Sequence, residues 1–437
     1  MTAEIAILNK AAVALAADSA VSIVTSGRET KIYNTNKLFM LSKYRPVGMM
    51  VYGSAELMGI PWETIIKSYR KDALKETTFK TLREYSDHFL TYLNNNRFLF
   101  PEKEQEDYVY GVTLGSCFEI KKMIDRKVEE ATHKGVTVPA SAIERINSQT
   151  IKEIFDFMSA RPLLPTLPAT FEKDILSKYI AIIDQAVDDV FKRQKLSAAA
   201  RKQLRRISVG LFVRDTFGVR DPSGNELILS SGIVIAGFGD DELYPSVFSY
   251  QIEGVINDTL KYREGRGASI NTNQPAALIA FAQQEMVLGF MTGVAPEYRD
   301  MLSEYLGKLF DKYPEEIAKN LSHLTSKQKA KLVAKLKAVG GNLASTFNSN
   351  LDDWAQAKNV NPILNTVSVL PIDELASMAE SLVNLTSFKR RVTLVAETVG
   401  GPIDVAVISR GDGFIWIKRK HYFEAAENPH FLKNYFR

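Results

Sequence analysis

Cysteine is nearly absent: Cys117 is the one thiol in 437 residues. A lone thiol excludes an intramolecular disulfide and any zinc site built on cysteines, and fits a reducing cytoplasm. Long apolar runs are missing too. Gly232–Gly239 and Pro275–Ala282 fall well short of the roughly 18 consecutive apolar residues that a membrane-spanning helix needs. The opening segment MTAEIAILNK lacks the basic and apolar regions of a secretory signal, so the expectation is a cytoplasmic protein without membrane contact. Neither sign of charge dominates. The 55 Lys+Arg against 51 Asp+Glu leave a net +4, which marks no nucleic-acid binder by itself. The five histidines are scattered, with no H-E-x-x-H pair, no phosphate-binding Walker sequence and no G-x-S-x-G elbow. No metal and no cofactor are expected.

What is present is an ordinary globular composition, 45% apolar and 24% charged. Length alone suggests two or three domains. Ala3–Leu8 and the run AAVALAADSAVSIV, joined at Asn9-Lys10, read as a hairpin, and the unbroken AAVALAA reads as a central strand buried on both faces. LFMLS and PVGMMVYG, joined across Lys43–Arg45, read as a second hairpin. Helical spacing is expected from Ser54 onward, with Pro61 in an early turn, and dominates from about residue 75 to 206. A short strand is expected at Asp107–Gly115 and another at ISVGLFVRD, which opens at Ile207. NELILSSGIVIAGFGDDELYPSVFSYQIEG continues the strands. A long helical stretch is then expected from about Pro275 to Leu336, ending near Gly340-Gly341 and divided by Pro296 and Pro314. LPIDELASMAESLVNLTSF reads as an amphipathic helix. RRVTLVAET, PIDVAVIS and FIWIKRK read as strands, the last two turning at Gly411–Gly413. Strands at both termini that share one sheet would make an α+β core carrying helical insertions.

Thr2 directly follows Met1. Thr is small enough for the initiator Met to be removed, which would leave a nucleophilic hydroxyl and a basic amine on one residue. An α-amine titrates near pH 8, within working range at neutral pH. The segment TAEIAILNKAAVALAADSAVS resembles the start of proteasome β-type subunits and of the bacterial heat-shock ring protease. In that family a mature amino-terminal Thr opens the first strand and an Asp closes the second, a place held here by Asp18. The family's catalytic Lys opens a later strand in an N-K-[IL]-F motif, matched here by Lys37 in NTNKLFMLS, with Lys31 in GRETKIYNT as the alternative. VGMMVYGSAEL is similar to the family's strand-to-helix turn, which assigns the oxyanion hole to the backbone of Tyr52 and Gly53 and the pocket wall to Met50. IVIAGFGDDELYPSVFSYQIEG and VGGPIDVAVISRGDGFIWI are similar to its later strands.

The resemblance implies the four-layer αββα sandwich of two antiparallel sheets of amino-terminal-nucleophile hydrolases, with inserted helices. It divides the chain into core segments 2–74, 207–296 and 367–437, with helical insertions at 75–206 and 297–366. It also implies a threonine-type peptidase acting on a peptide or protein substrate, a homo-oligomer, and a separate ATPase partner if degradation is ATP-driven. The alternative is a catalytically inactive structural or binding protein on the same fold. Two departures stand out. Val399 occupies the place of a supporting Ser, and the supporting Asp falls at Ala396 or, one residue on, Glu397. The family's G-S-G is absent, leaving Thr272 as the supporting residue.

The segments Phe191–Arg206 and Thr325–Ala338 are rich in Lys and Arg, and each reads as a basic helix. Neither has the interleaved aromatics of a base-stacking groove, so solvated faces are expected and nucleic acid is not. Asp240-Asp241-Glu242 has no cation-ligand spacing and reads as a solvated loop.

Overall fold

A computed structural model of the chain describes residues 3–25, 28–32, 35–132, 139–192, 194, 196–392, 401–421, 423–424 and 427–430, with the backbone alone at 21–25 and 28–32. The strands are β1 (Glu4–Asn9), β2 (Ala12–Ala17), β3 (Val21–Thr25), β4 (Arg28–Ile32), β5 (Leu38–Met40), β6 (Val47–Gly53), β7 (Glu56–Leu57), β8 (Ile60–Pro61), β9 (Ser231–Gly237), β10 (Ser246–Ile256), β11 (Thr259–Glu264), β12 (Ala268–Ser269), β13 (Ala276–Ala282), β14 (Asp404–Ser409) and β15 (Gly413–Lys418). The helices are α1 (Trp62–Ser68, continuing as a π-helical turn Tyr69–Leu74), α2 (Leu82–Asn95), α3 (Glu102–Thr132), α4 (Ala140–Ser159), α5 (Phe171–Phe191), α6 (Ala198–Val213), α7 (Gln284–Thr292), α8 (Pro296–Lys319), α9 (Ser326–Ala355), α10 (Asn361–Val367) and α11 (Ile372–Val392). The class is α+β. The chain forms two compact units, one of Met1–Leu38, Leu243–Ser246 and Ala268–Arg437, the other of Phe39–Glu242 and Val247–Gly267.

In the first unit both ends of the chain meet in one sheet, ordered β13-β1-β2-β14-β15, with β2 central. Its neighbouring strands pair antiparallel, with Glu4 opposite Ala17 and Ala17 opposite Asp404. Strand alternation gives the two faces different work. Ile5, Ile7, Ala12, Ala14, Ala16, Val405 and Val407 pack with Leu375, Ala376, Ala379, Leu382 and Val383 of α11. Alanine at every second position of β2 lets the helix approach closely, and the helical positions recur at the spacing of one face. Each buried Leu of that face contributes roughly 1.5–3 kcal/mol by leaving water. The other face carries Glu4, Ala6, Leu8, Val13 and Leu15, all buried.

The second unit holds a sheet ordered β11-β10-β9-β6-β5. Val47, Met49 and Val51 of β6 join Ile233 and Ile235 of β9 in a core with Trp62, Ile65, Tyr85 and Phe89 of α1 and α2. Helices α3 to α6 form a further apolar cluster, in which Cys117, Ile120 and Ile124 meet Ile151, Ile154, Val187 and Leu204.

Several expected elements differ. Asp107–Gly115 lies inside α3, where Val109, Thr113 and Cys117 are buried one turn apart; packing on α5 overrides the β-prone Val, Tyr and Thr composition. The segment from Ile207 to Val213 ends α6 and is buried at every residue, so an apolar run without period conceals a helix. The reverse holds for Ala276–Ala282, expected as helix and found as strand β13 beside β1. The helix expected from Ser54 begins only at Trp62, because the small β7–β8 hairpin precedes it, turning through Met58 and Gly59 at positive φ. Pro314 lies inside α8 without dividing it, and α9 runs straight through Gly340-Gly341. Arg390–Val392 extend α11, while the rest of the expected RRVTLVAET strand lies outside the described residues.

Candidate functional site

Thr2 lies outside the described residues, and the site begins at Ala3. The Ala3 N–H donates to Asp18 Oδ1 at 3.0 Å, and the Asp18 N–H returns a bond to the Ala3 carbonyl at 3.1 Å. The end of β2 is thereby locked to the start of β1. Beyond Asp18 the chain makes the β3–β4 hairpin, which accounts for the length of the GRETKIYNT segment, and closes it with Thr35 N–H donating to Ser19 O at 3.1 Å. That closure returns Lys37 to the same corner. Its ammonium donates to Asp18 Oδ1 at 2.7 Å and to Ala20 O at 2.6 Å. Both side chains are almost wholly inaccessible, at 5% for Lys37 and 0% for Asp18. Burial pushes the Lys37 ammonium below its ordinary range, and the Asp18 carboxylate opposes that shift. Lys31 lies in β4, its backbone opposite Ser22, with its side chain outside the described residues.

Three further groups border this corner without having been marked by the sequence. Glu4 is fully buried, and burial pushes its carboxyl well above the carboxylate range, against the pull of Lys37 and with the push of Asp18. Asp404, at the same level of the sheet, holds the side chain of Lys420 and accepts from its backbone N–H at 2.9 Å. Ser19 Oγ donates to Pro402 O, tying the turn after Asp18 to the approach of β14. Charge within the apolar strands EIAILN and DVAVIS is the signal that could have found Glu4 and Asp404.

In the second unit, Tyr52 and Gly53 end β6 opposite Gly232 and Ser231. The Tyr52 ring occupies the space that a Cβ on Gly232 would fill, 1.9 Å from its Cζ. Gly53 has φ +78°, and a Cβ there would stand 2.5 Å from Ser230 O, so only glycine makes this turn. Trp62 Nε1 donates to Ser231 Oγ at 2.8 Å, anchoring the turn to α1. Met50 is fully buried in β6, on the face opposite Met49.

Thr272 is exposed in the Asn271–Gln274 turn ahead of β13. Because Ala276 pairs with Asn9 and Ala282 with Glu4, this turn lies at the far end of β1, and Thr272 is not brought to the Lys37–Asp18 pair. Glu397, Ala396 and Val399 lie outside the described residues.

Elsewhere the second unit contains a cavity of about 620 Å³ lined by Met58, Tyr108, Ile120 and Met123 together with Asp107 and Glu119. Phe191–Arg206 is not one helix but the end of α5, a connection and the start of α6. Arg201 and Arg205 of α6 pair with Asp188 and Asp184 of α5 and stitch the two helices together, while Lys192 pairs with Asp189 at the end of α5. In the acidic turn, Glu242 Oε2 accepts from Gly239 N–H and from Leu82 N–H at the start of α2. Among the described residues no group of three His, Cys, Asp or Glu is placed to hold a metal ion, and no helix is long and apolar enough to cross a membrane.

No family model matches the chain, and no curated protein matches it. Among solved structures it is similar to Anbu (ancestral beta-subunit) from Yersinia bercovieri, with a TM-score of 0.27 and 10% identity over 99% of this chain and 94% of that one. A likeness at that level carries no argument, and the chemistry rests on the residues themselves.

Proposed function

We propose that the chain is an amino-terminal threonine hydrolase of the proteasome type, cleaving peptide or other amide bonds once Met1 has been removed. In this reading the fold is the four-layer αββα sandwich that the resemblance implies. The observation that carries it is the buried Lys37–Asp18 pair, bonded through Asp18 to the backbone of Ala3, the residue after Thr2. A lysine ammonium costs a great deal to bury, and groups with strongly perturbed pKa values cluster at functional sites.

The Thr2 hydroxyl attacks the amide carbonyl and its proton passes to the Thr2 α-amine. Lys37 favours the developing alkoxide by its positive charge, and Asp18 holds that ammonium in place. The resemblance assigns the oxyanion hole to the backbone N–H groups of Tyr52 and Gly53 and the pocket wall to Met50. The amine proton goes to the leaving nitrogen, which departs and leaves an acyl-enzyme on Thr2. Water then releases the acid. Assembly as a homo-oligomer, with a separate ATPase where unfolding is needed, belongs to the same reading.

The test is intact mass followed by turnover of fluorogenic peptides. Removal of Met1 with activity abolished in Thr2→Ala is expected. Retained Met1 without turnover overturns it and leaves the catalytically inactive structural or binding protein as the reading; a Thr2→Ala chain as active as the parent overturns it by placing the activity on another residue.

A further inference from the structure

The Lys37–Asp18 arrangement leaves one buried charge-bearing group without employment. Glu4 is 0% exposed, and neither Oε1 nor Oε2 has a hydrogen-bond partner among the described residues. Natural interiors rarely tolerate an unpartnered carboxyl, because its lost hydration is not replaced. Asp404, at the same level of the sheet, shows the usual solution: it is matched by Lys420. Asp18 is matched by Lys37 and Ala3 N–H. Glu4 is left in the field of Lys37 and Asp18 with no donor of its own.

We infer that Glu4 is a positioning residue whose carboxyl receives the α-ammonium that appears at Thr2 when Met1 is removed. The inference rests on the amino-terminal nucleophile reading. Chain geometry supplies the reach: Cα atoms two residues apart are at most ~7 Å from one another, and a Glu side chain covers most of that span. Met1 removal converts an amide nitrogen into an amine, the one donor that processing creates beside Glu4.

The charge balance gives the carboxyl a purpose. Burial pushes the Glu4 carboxyl well above the carboxylate range and so favours its protonated form. A free α-amine beside the Lys37 ammonium would be held deprotonated and made a weak base, since like charges repel. The Glu4 proton can pass to that amine, leaving a carboxylate beside an ammonium. In the reactive form that ammonium has released one proton to water, leaving a neutral amine beside the carboxylate; the Thr2 hydroxyl proton then moves to the amine, and the carboxylate stabilises the ammonium so formed, as a buried Asp stabilises the imidazolium of a serine-protease triad. The charged groups around Glu4 are Lys37, ahead of β5, and Asp18, at the end of β2; Lys420, following β15, acts on Lys37.

The experiment uses the full chain, with Met1 removal verified by intact mass, as parent, Glu4→Gln, Thr2→Ala and the double variant. The α-amine pKa is read from the pH dependence of its acylation by acetic anhydride, quantified on the amino-terminal peptide. Glu4→Gln is expected to lower that pKa by about one unit or more. It is also expected to lower kcat about tenfold or more with KM little changed, the acidic limb of kcat/KM moving to lower pH. In the Thr2→Ala background Glu4→Gln lowers the amine pKa equally, because the effect needs no hydroxyl. An amine pKa unchanged by Glu4→Gln overturns the inference, as does quantitative retention of Met1. A processed Thr2→Ala chain that still cleaves peptides sinks the Thr2 reaction alone and leaves the Glu4 measurement standing. If Glu4→Gln does not fold, Glu4→Asp, a carboxyl withdrawn by one methylene, is expected to lower the amine pKa in the same direction, and an unchanged value overturns the inference.

Discussion

Lys37 Nζ lies 2.7 Å from Asp18 Oδ1, with both side chains withdrawn from water. The pair joins the residue that closes β2 to the residue that precedes β5, across the base of the β3–β4 hairpin. Its position fixes the corner of the sheet from which Ala3 leads back to Thr2.

Removing one partner should therefore cost more than removing both. Lys37→Met leaves a buried carboxylate facing an apolar side chain, a change that typically costs about 3–5 kcal/mol. Lys37→Met with Asp18→Asn removes both charges and should recover much of that loss. Urea unfolding of the parent, single and double variants measures the difference. Peptide hydrolysis should be abolished in both variants. A single variant as stable as the parent would show that the pair does not hold the corner.

A second buried pair lies in the other unit, where Lys261 Nζ contacts Glu253 Oε2 at 2.5 Å, Thr216 Oγ1 at 2.6 Å and Leu211 O at 2.5 Å. Burial raises the Glu253 carboxyl and lowers the Lys261 ammonium. In Lys261→Met the opposing pull of the lysine is gone, and Glu253 should rise further. A carboxyl raised in the folded state contributes stability that is fully present below its unfolded value, near pH 4.3, and lost as pH rises through the folded value. Lys261→Met should thus fall further below the parent as pH increases from about 4.3 toward neutrality. Denaturant midpoints across that window test this, and a constant gap would refute it.

The strands of the first unit were legible because β1, β2 and β14 are continuous apolar runs punctuated by Asn9-Lys10 and Gly411–Gly413. The same criterion misread Ile207–Val213 and Ala276–Ala282 in opposite directions. Burial on every side erases the period that separates helix from strand. At the site, Asp18 and Lys37 were found through a family resemblance, and the structure brings the two together. Thr272, which GASINTNQ offers in the place of the family's G-S-G, lies at the far end of β1 from the Lys37–Asp18 pair, since strand direction is invisible in a motif. Glu4 lies within AEIAIL, where a charge in a run buried on both faces is itself a signal.

Cys117 should be chemically silent. It is buried in α3 among Ile120, Ile124 and their helical neighbours, and burial pushes its thiol up to about 12. The thiolate is the reactive form, so iodoacetamide at pH 8 should leave the native chain unmodified while adding one carbamidomethyl group after unfolding in guanidinium. Mass spectrometry decides it; rapid modification of the folded protein would show that the α3 cluster opens readily.

Adjacent glycines in α9 should respond in opposite senses to one substitution. A Cβ on Gly340 would stand 2.8 Å from Phe310 Cβ on α8, and that atom is fixed to the backbone and cannot swing aside. A Cβ on Gly341 meets nothing within 4 Å. Glycine within a helix costs roughly 1 kcal/mol relative to alanine, chiefly through unfolded-chain entropy. Gly341→Ala should therefore stabilise the chain by about 1 kcal/mol. Gly340→Ala gains the same propensity but forces α8 and α9 apart, and overpacking of this kind typically costs about 1–3 kcal/mol. The net effect should be neutral to destabilising, with Gly340→Val clearly worse because its second branch adds to the collision. Thermal unfolding of the three variants separates these outcomes. If Gly340→Ala stabilised the chain as much as Gly341→Ala, the close approach of Phe310 could not be the reason for glycine at that position.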